Sequence, residues 1–136
     1  MEVPIALLAD TAIAGADGKL SVIGIFGAIK SSQFPAVHPQ CTLVLQFRAS
    51  PGERGQEKRV LVRFMDADNV LAELASEFQV PEQFEDPSAP FLINQVLQIQ
   101  GLLLPHAGTY SFYVLVNEEE KAVVRVDAIL LDETVA

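Results

Sequence analysis

Apolar side chains recur at alternate positions through most of this chain. In residues 109–117, TYSFYVLVN, one side carries Tyr110, Phe112, Val114 and Val116, and the other Thr109, Ser111, Tyr113 and Leu115. Residues 122–130, AVVRVDAIL, place Val124, Val126, Ala128 and Leu130 together, with Arg125 and Asp127 opposite. Val60, Val62 and Phe64 alternate with Arg59 and Arg63, and Leu43, Leu45 and Phe47 alternate with Thr42, Gln46 and Arg48. A period of two belongs to an extended strand, whose successive side chains point to opposite faces, one toward oil and one toward water. The pattern predicts eight strands, at about 3–13, 20–29, 41–49, 58–65, 70–79, 91–103, 109–116 and 121–131. Residues 70–79 also fit a helix, because Leu71, Leu74, Ala75 and Phe78 fall at helical spacing. The strand is preferred because the segment follows a short turn out of the strand before it.

Residues 21–29, SVIGIFGAI, are apolar on both faces, which predicts a central place in a sheet. Gly24 and Gly27 mark a bulge or a close approach of backbone there. Turns fall at 16–19 (ADGK), 66–69 (DADN) and 117–120 (NEEE), the first an Asp-Gly pair suited to a tight hairpin. Longer connections are expected at 31–40, 50–57 and 80–90. The last, VPEQFEDPSAP, carries three prolines and three acids and is expected to be exposed and extended. Eight short strands cannot each hide a face unless two sheets stack. The expected fold is therefore all-β: a two-sheet antiparallel sandwich spanning residues 1–136 as a single domain, with a small closed barrel as the alternative.

Composition narrows the partners. Half of the 136 residues are hydrophobic and Trp is absent, so the core is aliphatic with eight Phe as its largest pieces. Eighteen acids against nine bases give a net charge of -9, which disfavours nucleic acid. The clustered bases Arg54, Lys58, Arg59 and Arg63 are interleaved with Glu53 and Glu57. No apolar run approaches the roughly 18 residues of a membrane span. The opening stretch lacks the basic start of a signal peptide, with Glu2 in its place and Asp10 interrupting it, and reads as a strand. The single cysteine, Cys41, excludes an internal disulfide and fits a reducing cytoplasm.

Residues 106–112, HAGTYSF, resemble the Asp-x-Gly-x-Tyr-x-Cys element of immunoglobulin-like domains. Gly108 and Tyr110 match, while His106 replaces the Asp and Phe112 the Cys. The resemblance implies a tyrosine corner, with the Tyr110 ring packed inward and its hydroxyl bonded to backbone just upstream. Over nearly the whole chain, LADTA at 8–12, DGKLSVIGIF at 17–26, DADN at 66–69 and LPHAGTYSF at 104–112 resemble an uncharacterised bacterial family. It implies a compact immunoglobulin-like sandwich and carries no activity to transfer.

Candidate chemistry is sparse. His38 and His106 fall in different predicted loops, and His38 lies three residues from Cys41, short of the ligands a zinc site needs. Asp66, Asp68 and Asn69 place oxygen ligands in one turn, as a calcium loop does, with Glu85 and Asp86 as further donors; a self-capping polar turn is the preferred explanation. No spacing selects an acid–base pair from Glu73, Glu77, Glu82, Glu85 and Asp86. There is no nucleophile elbow, P-loop or dinucleotide fingerprint. No cofactor is implied. Leu61, Met65, Tyr113, Leu115, Val123 and Ile129 fall opposite the core-facing sets and define a candidate interface. With a mean hydropathy of +0.30, the chain is expected to associate with itself or a protein partner. Three functions follow: a non-enzymatic interaction and assembly module; a calcium- or carbohydrate-binding sandwich using loops 66–69 and 80–90; or a small hydrolase with His38 or His106 beside a nucleophile.

Overall fold

The computed structural model describes residues 1–131. Nine strands run in order: β1 (Glu2–Ala14), β2 (Leu20–Phe26), β3 (Ala28–Ser31), β4 (Ala36–Ala49), β5 (Glu57–Asp66), β6 (Asn69–Gln79), β7 (Phe91–Leu104), β8 (Gly108–Val116) and β9 (Glu119–Leu130). A short 3-10 turn, Pro51–Glu53, follows β4. Two sheets result, of order β2-β1-β4-β7 and β3-β9-β8-β5-β6. The fold is an all-β sandwich, and residues 69–79 are strand rather than helix.

The alternating residues build the core. Leu43, Leu45 and Phe47 of β4 are fully buried, and opposite them Val60, Val62 and Phe64 of β5 are 2 % exposed. Tyr110, Phe112, Val114, Val124 and Val126 complete the inner face of the five-stranded sheet. Phe64 packs against Phe112 and Tyr110 at centroid distances of 4.6 and 5.4 Å. Burying one such side chain contributes about 1.5–3 kcal/mol, so these rows hold the sheets together.

Four features differ from the sequence expectation. The segment 20–29 divides at Gly27: β2 lies in one sheet and β3 in the other, which raises the strand count to nine. A run apolar on both faces serves two sheets in turn. β3 pairs parallel with β9, and the Asp127 amide donates to the Gly27 carbonyl at 2.9 Å, so one pair is not antiparallel.

The second difference is that β2 is an edge strand, not a central one, and Ile23 and Ile25 point to solvent. Pairing of β1 with β4 ends at Ala9 opposite Thr42. Beyond it the β1–β2 hairpin folds back over the outward face of its own sheet, where Asn94 Nδ2 donates to the Gly18 carbonyl at 3.2 Å. Beneath the hairpin Val44 is fully buried, although its row faces away from the core. Gly24 (φ +75°) allows the close approach: a Cβ there would lie 2.3 Å from Asp10 Oδ2.

Third, β4 begins at Ala36, so His38 is in a strand rather than a loop. Pro39 is tolerated there because β1 has already left that side of β4, and no neighbour asks for its missing N–H. Fourth, the 80–90 connection is not simply exposed. Val80 and Phe84 are buried with Ala49 in a second small core, and Phe84 stacks on Phe91 at 5.3 Å.

Candidate functional site

The turn before β8 has the geometry its sequence implies. Tyr110 is fully buried; its hydroxyl donates to the His106 carbonyl at 2.6 Å and accepts from the His106 amide at 3.1 Å. The His106 ring faces two acceptors, the Ala107 carbonyl at 2.8 Å from Nδ1 and Asp66 Oδ2 at 2.6 Å from Nε2. Only an imidazolium donates from both nitrogens, so the Ala107 carbonyl and then the Asp66 carboxylate raise the pKa above its usual 6.5. His106 thereby ties the β5–β6 turn to the β7–β8 loop.

The calcium-loop residues are consequently arranged as a structural turn. Asp66 is engaged by His106, while Asp68 and Asn69 are exposed in the turn. Asp86 caps its own loop, accepting from the Ser88 hydroxyl at 2.7 Å and the Ser88 amide at 3.0 Å, which holds its carboxyl below the usual range. Among the described residues, no group of three His, Cys, Asp or Glu is placed to hold a metal ion.

The catalytic candidates are also separately occupied. His38 packs against Phe26 with centroids 5.6 Å apart. Cys41 is fully buried in the core, and burial raises its thiol pKa, the opposite of what a nucleophile needs. Among the described residues, no hydrogen bond joins Cys41 to either histidine. Glu73 and Glu77 lie on β6, whereas Glu82, Glu85 and Asp86 lie in the 80–90 connection. The strongest perturbation falls on Glu53, which the acid–base search did not single out. Burial pushes its carboxyl up, but Lys58 Nζ at 2.7 Å, the Met1 α-amine at 2.9 Å and the Ser50 amide outweigh that and bring it to about 2. This cluster clamps the start of β1 to the 3-10 turn. It also takes Lys58 out of the basic run, and Arg54 Nε is bonded to the Pro51 carbonyl.

The predicted interface residues lie on the outward face of the five-stranded sheet. Leu61 is directly opposite Leu115, and Tyr113 is opposite Val123 and Arg63. These four side chains form two adjacent rows. Met65 lies opposite Ser111 one row further along, and Ile129 is at the far end beside β3, opposite Lys30. Val123 is 47 % exposed and Ile129 41 %, while Leu61, Met65, Tyr113 and Leu115 are half-buried by their neighbours.

A second surface was not predicted from sequence. The two sheets gape along one side, where edge strands β6 and β7 leave a cleft of about 380 Å³. Its walls include Leu71, Leu74, Gln98 and Leu103, and its floor reaches Phe64 and Phe112. Leu71, Leu74 and Leu103 are 39, 42 and 52 % exposed. At one end the Ser76 hydroxyl closes the gap by donating to Gln95 Oε1 at 3.1 Å. The alternation does place Leu74 on the inner face. The missing information is tertiary: β6 and β7 are edge strands of different sheets, and the space between them is left open.

The fold thus defines a two-sheet β-sandwich with apolar outward rows and an open edge. The chain belongs to a family of unknown function (DUF6941), whose profile matches residues 4–128. No curated protein matches it. Among the described residues, no helix is long and apolar enough to cross a membrane.

Proposed function

We propose that the protein is a non-enzymatic interaction and assembly module that associates with itself. The observation that carries this reading is the outward face of the five-stranded sheet, where Leu61, Leu115, Tyr113 and Val123 adjoin across three strands. Contiguous apolar side chains on a sheet face are where proteins meet one another. The reading gains support from the candidate nucleophile and histidines: Cys41 is buried in the core, His38 packs on Phe26 and His106 is bonded to Asp66. The Tyr110–His106 bonds support an immunoglobulin-like corner, and the single buried cysteine suits a cytoplasmic location. Light scattering over a concentration series tests the reading: the molar mass is expected to exceed 14.8 kDa and to rise with concentration. A mass of one chain at every concentration contradicts it.

A further inference from the structure

We propose that the cleft between β6 and β7 binds an uncharged, linear hydrocarbon chain. The proposal is independent of the outward rows, because the cleft opens between the sheets. At about 380 Å³ it has the size of a small-ligand site rather than of a gap between packed side chains. Its floor is the inter-sheet core: Val62, Phe64, Leu102 and Phe112 line it, each 5 % exposed or less, with half-buried Ile99 beside them. β6 and β7 each end their sheet, so no further strand covers that floor. Leu71, Leu74 and Leu103 line the opening and remain 39, 42 and 52 % exposed. Apolar surface left wet in this way gains by burying an apolar occupant.

The lining selects the charge and shape of that occupant. Glu73 is the one charged residue in it, and strand alternation turns its carboxylate to the outward face, where Glu73 lies opposite Arg63. Among the described residues no base lines the cleft to hold an anionic head, and a molecule of net charge -9 repels one. Gln98 and Gln100, both exposed, offer neutral amides to a hydroxyl or ester head. The β7 wall runs from Gln98 to Leu103, about 17 Å at the rise of a strand. Spread over that length, 380 Å³ leaves a section of about 22 Å². That is the gauge of a single extended alkyl chain, and it is narrower than a cage or a fused-ring molecule.

Backbone amide shifts in NMR titrations of the full chain test this with three probes of equal carbon number: 1-decanol, decanoate and 1-adamantanol. 1-Decanol is expected to bind saturably and to shift residues 71–74 and 98–103, leaving Tyr113 and Val123 unmoved. Decanoate should bind at least about tenfold more weakly, because its charge would leave water without a partner. 1-Adamantanol should leave the cleft residues unmoved. Ala72 is exposed and lies opposite Phe64 on the inner face, so Ala72→Trp fills the gap. That variant should keep the wild-type circular dichroism and lose 1-decanol binding. Absence of saturable 1-decanol binding, shifts confined to the outward rows, or full affinity in a folded Ala72→Trp overturns the site. Decanoate or 1-adamantanol binding as tightly as 1-decanol overturns the ligand class. Should Ala72→Trp not fold, the wild-type shift map alone decides. Self-association is read from molar mass and stands or falls separately.

Discussion

Replacing Tyr110 by Phe deletes one oxygen from a fully buried ring and leaves the ring's packing against Phe64 in place. That oxygen makes two hydrogen bonds to the backbone of His106, donating at 2.6 Å and accepting at 3.1 Å. Each is worth about 0.5–1.5 kcal/mol net, and the stranded amide and carbonyl are partly buried, so the loss comes to about 2 kcal/mol. Unfolding entropy scales with length, and for a chain of this size that is a fall in melting temperature of about 7 °C. Calorimetry and urea unfolding measure it, with an unchanged denaturant slope showing that the fold is retained. Tyr113→Phe, on the half-exposed outward face, is the control and should change little. A loss below about 0.5 kcal/mol in Tyr110→Phe refutes the reasoning, because the corner would then be held by ring packing alone.

Three further outcomes follow from the same structure. Glu53→Gln leaves the ammonium of Lys58, 7 % exposed, without its carboxylate and should cost about 3 kcal/mol at neutral pH. Because the Glu53 pKa falls from 4.5 to about 2 on folding, its contribution is full above 4.5 and is lost as pH drops toward 2. Wild type and variant should therefore converge in acid, as denaturant melts across that range will show. His106 behaves in the opposite sense: its pKa is raised above 6.5, so its ion pair with Asp66 stabilises at acid pH and is lost as pH climbs through the raised value. The melting temperature of His106→Gln should lie below wild type in mild acid and approach it in alkali. Gly24→Ala puts a methyl 2.3 Å from Asp10 Oδ2 at φ +75° and should destabilise by about 2 kcal/mol in thermal melts.

Much of this architecture is written in the alternation. Val60, Val62 and Phe64, and Tyr110 through Val116, are buried on the parity their sequence gives, because a strand's side-chain period is fixed by geometry. The bonds from Tyr110 to the His106 backbone were legible because Gly108 and Tyr110 carry a local constraint. What escaped depends on long-range choices. A run such as SVIGIFGAI has no polar side to orient it, so neither the crossing between sheets at Gly27 nor the solvent-facing Ile23 and Ile25 can be read from it. Glu53 escaped because Lys58 and Met1 meet it only after folding. The cleft escaped because Leu74 obeys the pattern, and its exposure reflects the edge positions of β6 and β7 in separate sheets.

Light scattering on wild type beside Val123→Lys tests the central claim most directly. If the outward face of the five-stranded sheet self-associates, the wild-type molar mass should exceed 14.8 kDa and fall toward it on dilution, and Val123→Lys should stay at 14.8 kDa throughout. A wild-type mass of one chain at every concentration, or an assembly that Val123→Lys leaves unchanged, contradicts the account.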